Sequence, residues 1–158
     1  MVIGGGKPHR RPTSIAITGA ASGLGEGLAL HYARDGVHLH LSSLPSEKSA
    51  LARVAATCRE RGATVTTRPV DVTDRVSVDA WLTTADAATP VDLVIANAGV
   101  SEGTVGFRGD DQLAEAVRAV FAVNIDGVIN TVFALLSKMR ERGHGQVVIV
   151  RVSDQTIC

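Results

Sequence analysis

The stretch TGAASGLG, Thr18 to Gly25, is the part of this chain whose residue types and spacing point most directly at chemistry. Gly19 can make a tight turn off a strand, Gly23 leaves room for a pyrophosphate to approach the backbone, and Gly25 lets a helix pack close to a sheet. Ser22 and Leu24 complete the turn, whose N–H groups and positive helix end would hold phosphate oxygens. A glycine-rich turn alone is weak evidence. Its force comes from lying between a first strand and a first helix.

Further polar residues stand where strands should end. Asp71-Val72 follows the third apolar run and Asn97-Ala98-Gly99 follows the fourth, while Asn124 falls inside a helical stretch (VNIDG). Each also has a plainer reading: Asp71 as a turn cap, Asn97 as a strand-to-loop stabiliser, Asn124 as a helix-bend residue satisfied by backbone. His38 and His40 share one strand face and raise a metal site, but no third ligand stands at a telling spacing. Structural histidines are the expectation, and no metal. Cys58 sits on an apolar helical stripe and reads as a small core residue.

These residues need a frame. Ser14–Thr18, Val37–Leu41, Thr64–Arg68, Asp92–Ala96 and Gln146–Val150 read as strands. Between them lie helical patterns: Leu24, Leu28, Tyr32; Leu51, Val54, Ala55, Cys58; Val78, Trp81, Leu82, Ala85. Two more stripes follow, Leu113, Ala116, Val117, Val120 and then Val128, Thr131, Val132, Leu135, Met139. Strand and helix alternate throughout. The fold class is therefore α/β, a doubly wound parallel sheet of about five strands in three layers. Residues 1–13 read as an amino-terminal arm, 14–150 as a dinucleotide-binding domain and 151–158 as a divergent tail.

The whole-chain balance narrows the partners. Sixteen basic residues match sixteen acidic ones in 158 residues, which argues against nucleic acid or an anionic membrane held by bulk charge. No signal peptide is evident, and no apolar run approaches the ~20 residues that span a bilayer. Two cysteines, Cys58 and Cys158, without CxxC spacing fit a reduced, cytoplasmic protein.

The spacing Thr-Gly-x-x-x-Gly-x-Gly, with Asp71-Val72, Asn97-Ala98-Gly99 and Asn124 in register behind it, resembles the short-chain dehydrogenase/reductase family from about Ser14 to Val150. The resemblance implies a cofactor, NAD or NADP, and hydride transfer to or from a small carbonyl or alcohol substrate. It implies adenine contacts at Asp71 and Val72, and a water of the proton relay at Asn124. It also implies that the long helix containing Asn124 forms a homo-oligomer interface. After the second strand, where the family discriminates NAD from NADP, stand Ser43 and Leu44, so cofactor choice is open. Neither Ser22 nor Ser42 decides it.

The catalytic end departs from the family. Its tyrosine, with a lysine four residues later, has no counterpart, because the single tyrosine is Tyr32 and Gly36 follows at that spacing. The family's serine pair falls on Arg151 and Val152, and Ser153 comes one residue late. A one-residue shift turns a strand side chain to the opposite face, so Ser153 needs a bulge to act. The expectation is weak or absent turnover by this chain alone, the tail resembling a truncated or frame-shifted reading of a longer reductase. The alternative is a non-catalytic dinucleotide-binding or protein-interaction module. The fifth strand is expected as an exposed apolar edge.

Overall fold

A computed structural model of the chain describes residues 2–3, 11–100 and 110–150. Six strands form one sheet: β1 Val2–Ile3, β2 Ser14–Ile17, β3 His38–Ser43, β4 Thr64–Pro69, β5 Leu93–Ala96 and β6 Gly145–Ile149. Their order is β1-β6-β5-β2-β3-β4. The five longer strands are parallel, as the alternating pattern predicts. The sixth is a correction. Val2–Ile3 pairs antiparallel with β6, Val2 opposite Gln146 and Ile3 opposite Gly145. The edge expected to be bare is thus partly paired, by residues placed in the arm. A two-residue strand carries no periodicity to read.

The helices are α1 Gly23–Tyr32, α2 Lys48–Glu60, α3 Arg75–Ala88, α4 Asp110–Phe121 and α5 Gly127–Glu141. Strand side chains alternate between two cores. Ile15, Ile17, Leu39, Leu41 and Ile95 face α1 and α2, where they meet Ala29, Leu51, Val54 and Ala55. Ala16, Val94 and Val147 face α3 and α5, where they meet Val78, Trp81, Leu82, Leu135 and Met139. The chain runs outward from β2 to β4 over one face and returns through α3 to β5 over the other. Right-handed crossovers in the two directions put the helices on opposite faces. Cys58 is fully buried in the first core, and burial pushes its thiol pKa up, so it is packing and not a nucleophile.

Between α4 and α5, Ala122–Asp126 forms a π-turn closed by the Gly127 N–H on the Ala122 carbonyl. The run Gln112–Glu141 is consequently one helix of 30 residues, long and apolar enough by length and composition to cross a membrane. This corrects the expectation that no such run exists. Asn124, Asp126, Asn130 and Thr131 interrupt the apolar sequence and hid it. In the fold its α5 half is docked on the sheet, with Leu135 and Met139 fully buried.

His38 and His40 stack with ring centroids 4.1 Å apart. The Ser14 hydroxyl donates to the Thr89 carbonyl at 3.2 Å, so its oxygen accepts from His40 Nε2–H at 3.3 Å. His40 Nδ1 then accepts from the Thr66 hydroxyl at 2.9 Å. His38 Nδ1 lies 3.1 Å from Thr89 Oγ1. The pair is thereby held in the sheet by hydroxyls, with His40 neutral. Burial first, and the neighbouring His38 second, lower the His40 pKa to about 4, against a smaller opposing pull from Asp86.

That shift has a measurable consequence. The unfolded imidazole titrates near 6.5 and the folded one near 4, so the unfolded chain binds more protons in between. Stability is full above pH 6.5 and falls as pH drops towards 4, by about 3 kcal/mol. Thermal melts of His40→Gln are expected to lack this slope. An acid slope identical in the two proteins would place the loss elsewhere.

Candidate functional site

The sheet reverses its direction of winding between β2 and β5. Open α/β sheets bind ligands outside the carboxyl ends of the strands at such a point. There the Thr18 N–H donates to the Ile95 carbonyl at 3.2 Å, and the Ala20 N–H to the Ser42 carbonyl at 2.9 Å. The glycine turn is thus fastened to strands on both sides.

Each glycine of the turn has its own reason. Gly19 has φ +64°, and a Cβ there would stand 2.9 Å from Ala98 Cα. Gly23 has φ +56° and faces open space, with nothing within 4 Å of a Cβ position. A Cβ on Gly25 would lie 2.1 Å from the Gly19 carbonyl oxygen, so α1 sits directly against the turn that precedes it. The Ser22 side chain makes no cap hydrogen bond, which leaves the first N–H groups of α1 available to a ligand.

Thr18 and Asn97 tie the two strand ends together. Thr18 Oγ1 accepts from the N–H groups of Asn97 and Ala98, each at 3.0 Å. Asn97 Nδ2 donates to the carbonyls of Thr18 at 3.1 Å and Gly19 at 3.2 Å. Thr18 is fully buried, and its part as the acceptor that sets the β5 loop is one that sequence reasoning missed. A hydroxyl on a β-branched residue at a strand end is the only hint the sequence offers.

A cavity of about 490 Å³ opens above this floor. It gathers Gly19, Ser22, Leu24, Ser43, Asp71, Val72, Asn97, Ala98 and Gly99, nearly all the residues singled out from sequence. It also takes in Leu44, Glu47, Val70, Val100, Val123 and Val150. Leu24, a large apolar side chain, stands 60% exposed at its rim. Gly23 and Gly25 belong to the turn beneath and do not line the cavity.

Asp71 takes the plainer of its two parts as well: its Oδ1 accepts from Thr73 N–H at 2.9 Å and Thr73 Oγ1 at 2.8 Å. Asn124 does likewise. Its Oδ1 accepts from the Val100 N–H and its Nδ2 donates to the Val100 carbonyl, both at 2.9 Å. It therefore positions the segment after β5, from the π-turn, and it faces an adjoining cavity of about 330 Å³ between α5 and the end of β6. Ser153, with Arg151 and Val152, lies outside the described residues.

Tyr32 closes α1, packed against the first core and edge-on to His31 at 5.1 Å. It does not line the cavity. Among the described residues no group of three or more metal-ligating side chains comes together.

Comparison with known proteins gives consistent findings. The family model described as short chain dehydrogenase matches residues 13–155. The chain is 35% identical over 134 residues to "Probable oxidoreductase EphD" of Mycobacterium tuberculosis, covering 84% of this chain and 22% of that protein. It is 36% identical over 143 residues to galactitol 2-dehydrogenase (L-tagatose-forming) of Cereibacter sphaeroides, covering 90% and 53%. Among solved structures, a short-chain dehydrogenase/reductase from Burkholderia phymatum in complex with NAD superposes with TM-score 0.76 at 31% identity, covering 87% of this chain and 48% of that one. An alcohol dehydrogenase from Thermococcus sibiricus complexed with 5-hydroxy-NADP gives TM-score 0.71 at 28% identity, covering 87% and 57%. The chain thus spans about half, or less, of the length of these relatives.

Proposed function

The chain belongs to the short-chain dehydrogenase family, and from that premise we propose that its crevice binds a nicotinamide dinucleotide, NAD or NADP, across the β2/β5 switch point. The observation that carries this reading is Gly23. Its left-handed backbone and open Cβ direction leave a cradle at the uncapped start of α1, between Ser22 and Leu24, which line the cavity of about 490 Å³. Those are the features a pyrophosphate needs.

The chain's own residues then have separate tasks. The first-turn N–H groups of α1 hold phosphate oxygens, Leu24 covers them, and Asp71 and Val72 stand where an adenine ring would rest. Asn97, through Thr18 and Gly19, keeps the floor rigid. Asn124 holds Val100 in the wall of the same cavity. When bound, the dinucleotide supplies the hydride chemistry towards a small carbonyl or alcohol. No tyrosine of these 158 residues other than Tyr32 exists to move the accompanying proton, and it does not reach the crevice. Binding without efficient turnover is the activity assigned to this polypeptide by itself, in the cytoplasm.

A second surface supports self-association. Leu113, Val117, Phe121, Ile125, Ile129 and Phe133 recur every fourth residue along α4, the π-turn and α5, each at least 39% exposed. Such an apolar ridge on a helix fits a second copy of itself.

The test is titration of the purified chain with NADH, followed by cofactor fluorescence and a thermal melt. Saturable binding is expected, with stabilisation of about 2.7 kcal/mol at a hundredfold excess over Kd. Steady NADH oxidation with a panel of ketones is expected to be negligible. A cooperative melt that NADH and NADPH both leave unmoved would sink the dinucleotide reading.

A further inference from the structure

We infer that Glu47 makes this crevice selective for the dinucleotide without the 2′-phosphate, that is, for NAD over NADP. This rests on the dinucleotide reading above and deepens it. The strand end after β3 lacks an acid in sequence, holding Ser43 and Leu44. In the fold the chain turns at once into the short 3-10 helix Pro45–Glu47, closed by the Glu47 N–H on the Leu44 carbonyl at 2.9 Å. That turn returns Glu47 to the cavity wall four residues on, beside Ser43.

The two side chains form one acceptor unit. The buried Ser43 hydroxyl donates to Glu47 Oε2, which fixes the carboxylate and leaves Oε1 and the Ser43 oxygen lone pairs to accept. Two acceptors side by side suit the two donors of a ribose cis-diol. A 2′-phosphate removes one donor and brings about two negative charges against the carboxylate.

No basic side chain among the described residues of the cavity wall reverses that sign. The other acid there, Asp71, is engaged by Thr73. Arg53, on the adjacent α2, is paired with Glu26 at 3.2 Å. Lys48 is solvent-exposed and does not line the cavity.

The experiment compares NADH and NADPH dissociation constants by fluorescence titration of the full chain, for the wild type, Glu47→Gln and Glu47→Arg. Glu47 lies on a surface turn outside both cores, so the variants are expected to melt as the wild type does. The wild type should bind NADH roughly tenfold or more tighter than NADPH, E47Q should narrow that ratio, and E47R should invert it. The wild-type ratio stands as a test even without a variant. Equal affinities, or tighter NADPH, overturn the inference while leaving the dinucleotide reading intact. An NADH preference that E47Q leaves unchanged removes it from Glu47. Failure of both cofactors to bind a cooperatively melting protein overturns the dinucleotide reading itself.

Discussion

Replacing Gly25 with alanine is expected to lower stability by about 2–4 kcal/mol and weaken dinucleotide binding at least roughly tenfold. The new Cβ would lie 2.1 Å from the Gly19 carbonyl oxygen, 2.8 Å from its carbon and 2.5 Å from Asn97 Nδ2. Two of those three obstacles are backbone, so no side-chain rotation relieves them. Relief requires α1 to move away from the turn. That movement also breaks the Asn97 hydrogen bonds to Thr18 and Gly19, the ties that join β2 to the β5 loop.

Gly27 supplies the matched control. It lies two residues further along α1, on the opposite, solvent-facing side of the helix, with nothing within 4 Å of a Cβ position. Gly27→Ala should therefore show only the intrinsic gain of alanine in a helix, about 0.5–1 kcal/mol of stabilisation. Chemical denaturation and NADH titration of the two variants measure the contrast directly. If both alanines behave alike, contact between α1 and the glycine turn is not what fixes the site.

The glycine turn was legible in sequence because its constraint is written in residue type. Glycine takes φ of +64° and +56° at Gly19 and Gly23 with least strain, and it alone leaves room for the approach at Gly25. The five parallel strands were legible for a similar reason, since buried runs of Ile, Leu and Val carry their own period. What escaped depends on distant partners. Thr18 owes its part to N–H groups 79 and 80 residues away, and no local pattern encodes such a pairing. Glu47 reaches the cavity wall through the short 3-10 turn Pro45–Glu47, four residues beyond Ser43, a return that the strand's own period does not show. Asn124 was placed correctly in a helix, but the π-turn that aims it at Val100 leaves no mark on composition.

The same dependence on remote partners sets the second large effect, at Arg142. Asp86, only 9% exposed on α3, accepts from Arg142 Nη1 at 2.6 Å and from the Val91 N–H at 2.9 Å. Arg142 also donates to the Val91 carbonyl, so one guanidinium joins α3, the segment leading into β5 and the end of α5. Burial raises the Asp86 pKa, but the Arg142 and Val91 hydrogen bonds and the charges of Arg142 and Lys138 outweigh it, holding the carboxyl below its ordinary value.

Arg142→Met removes the main counterweight and leaves the burial. A loss of about 3–5 kcal/mol is expected, because an uncompensated carboxylate then remains inside. Lys138, 3.8 Å away and half-exposed, replaces little of it. Asp86→Asn should cost less, since the amide oxygen still accepts from Val91 and Arg142 can turn towards water. Acid separates charge from packing. In the wild type the Asp86 contribution is present above the unfolded carboxyl pKa and is lost as pH falls through the lower folded one. In Arg142→Met the lowering by the guanidinium is gone while burial still raises the pKa, so protonation is expected to relieve the buried charge. The stability gap between the two proteins should therefore be widest near neutral pH and narrow on acidification. Denaturant melts across that range decide it, for a gap that stays constant would make Arg142 a packing residue whose charge is incidental.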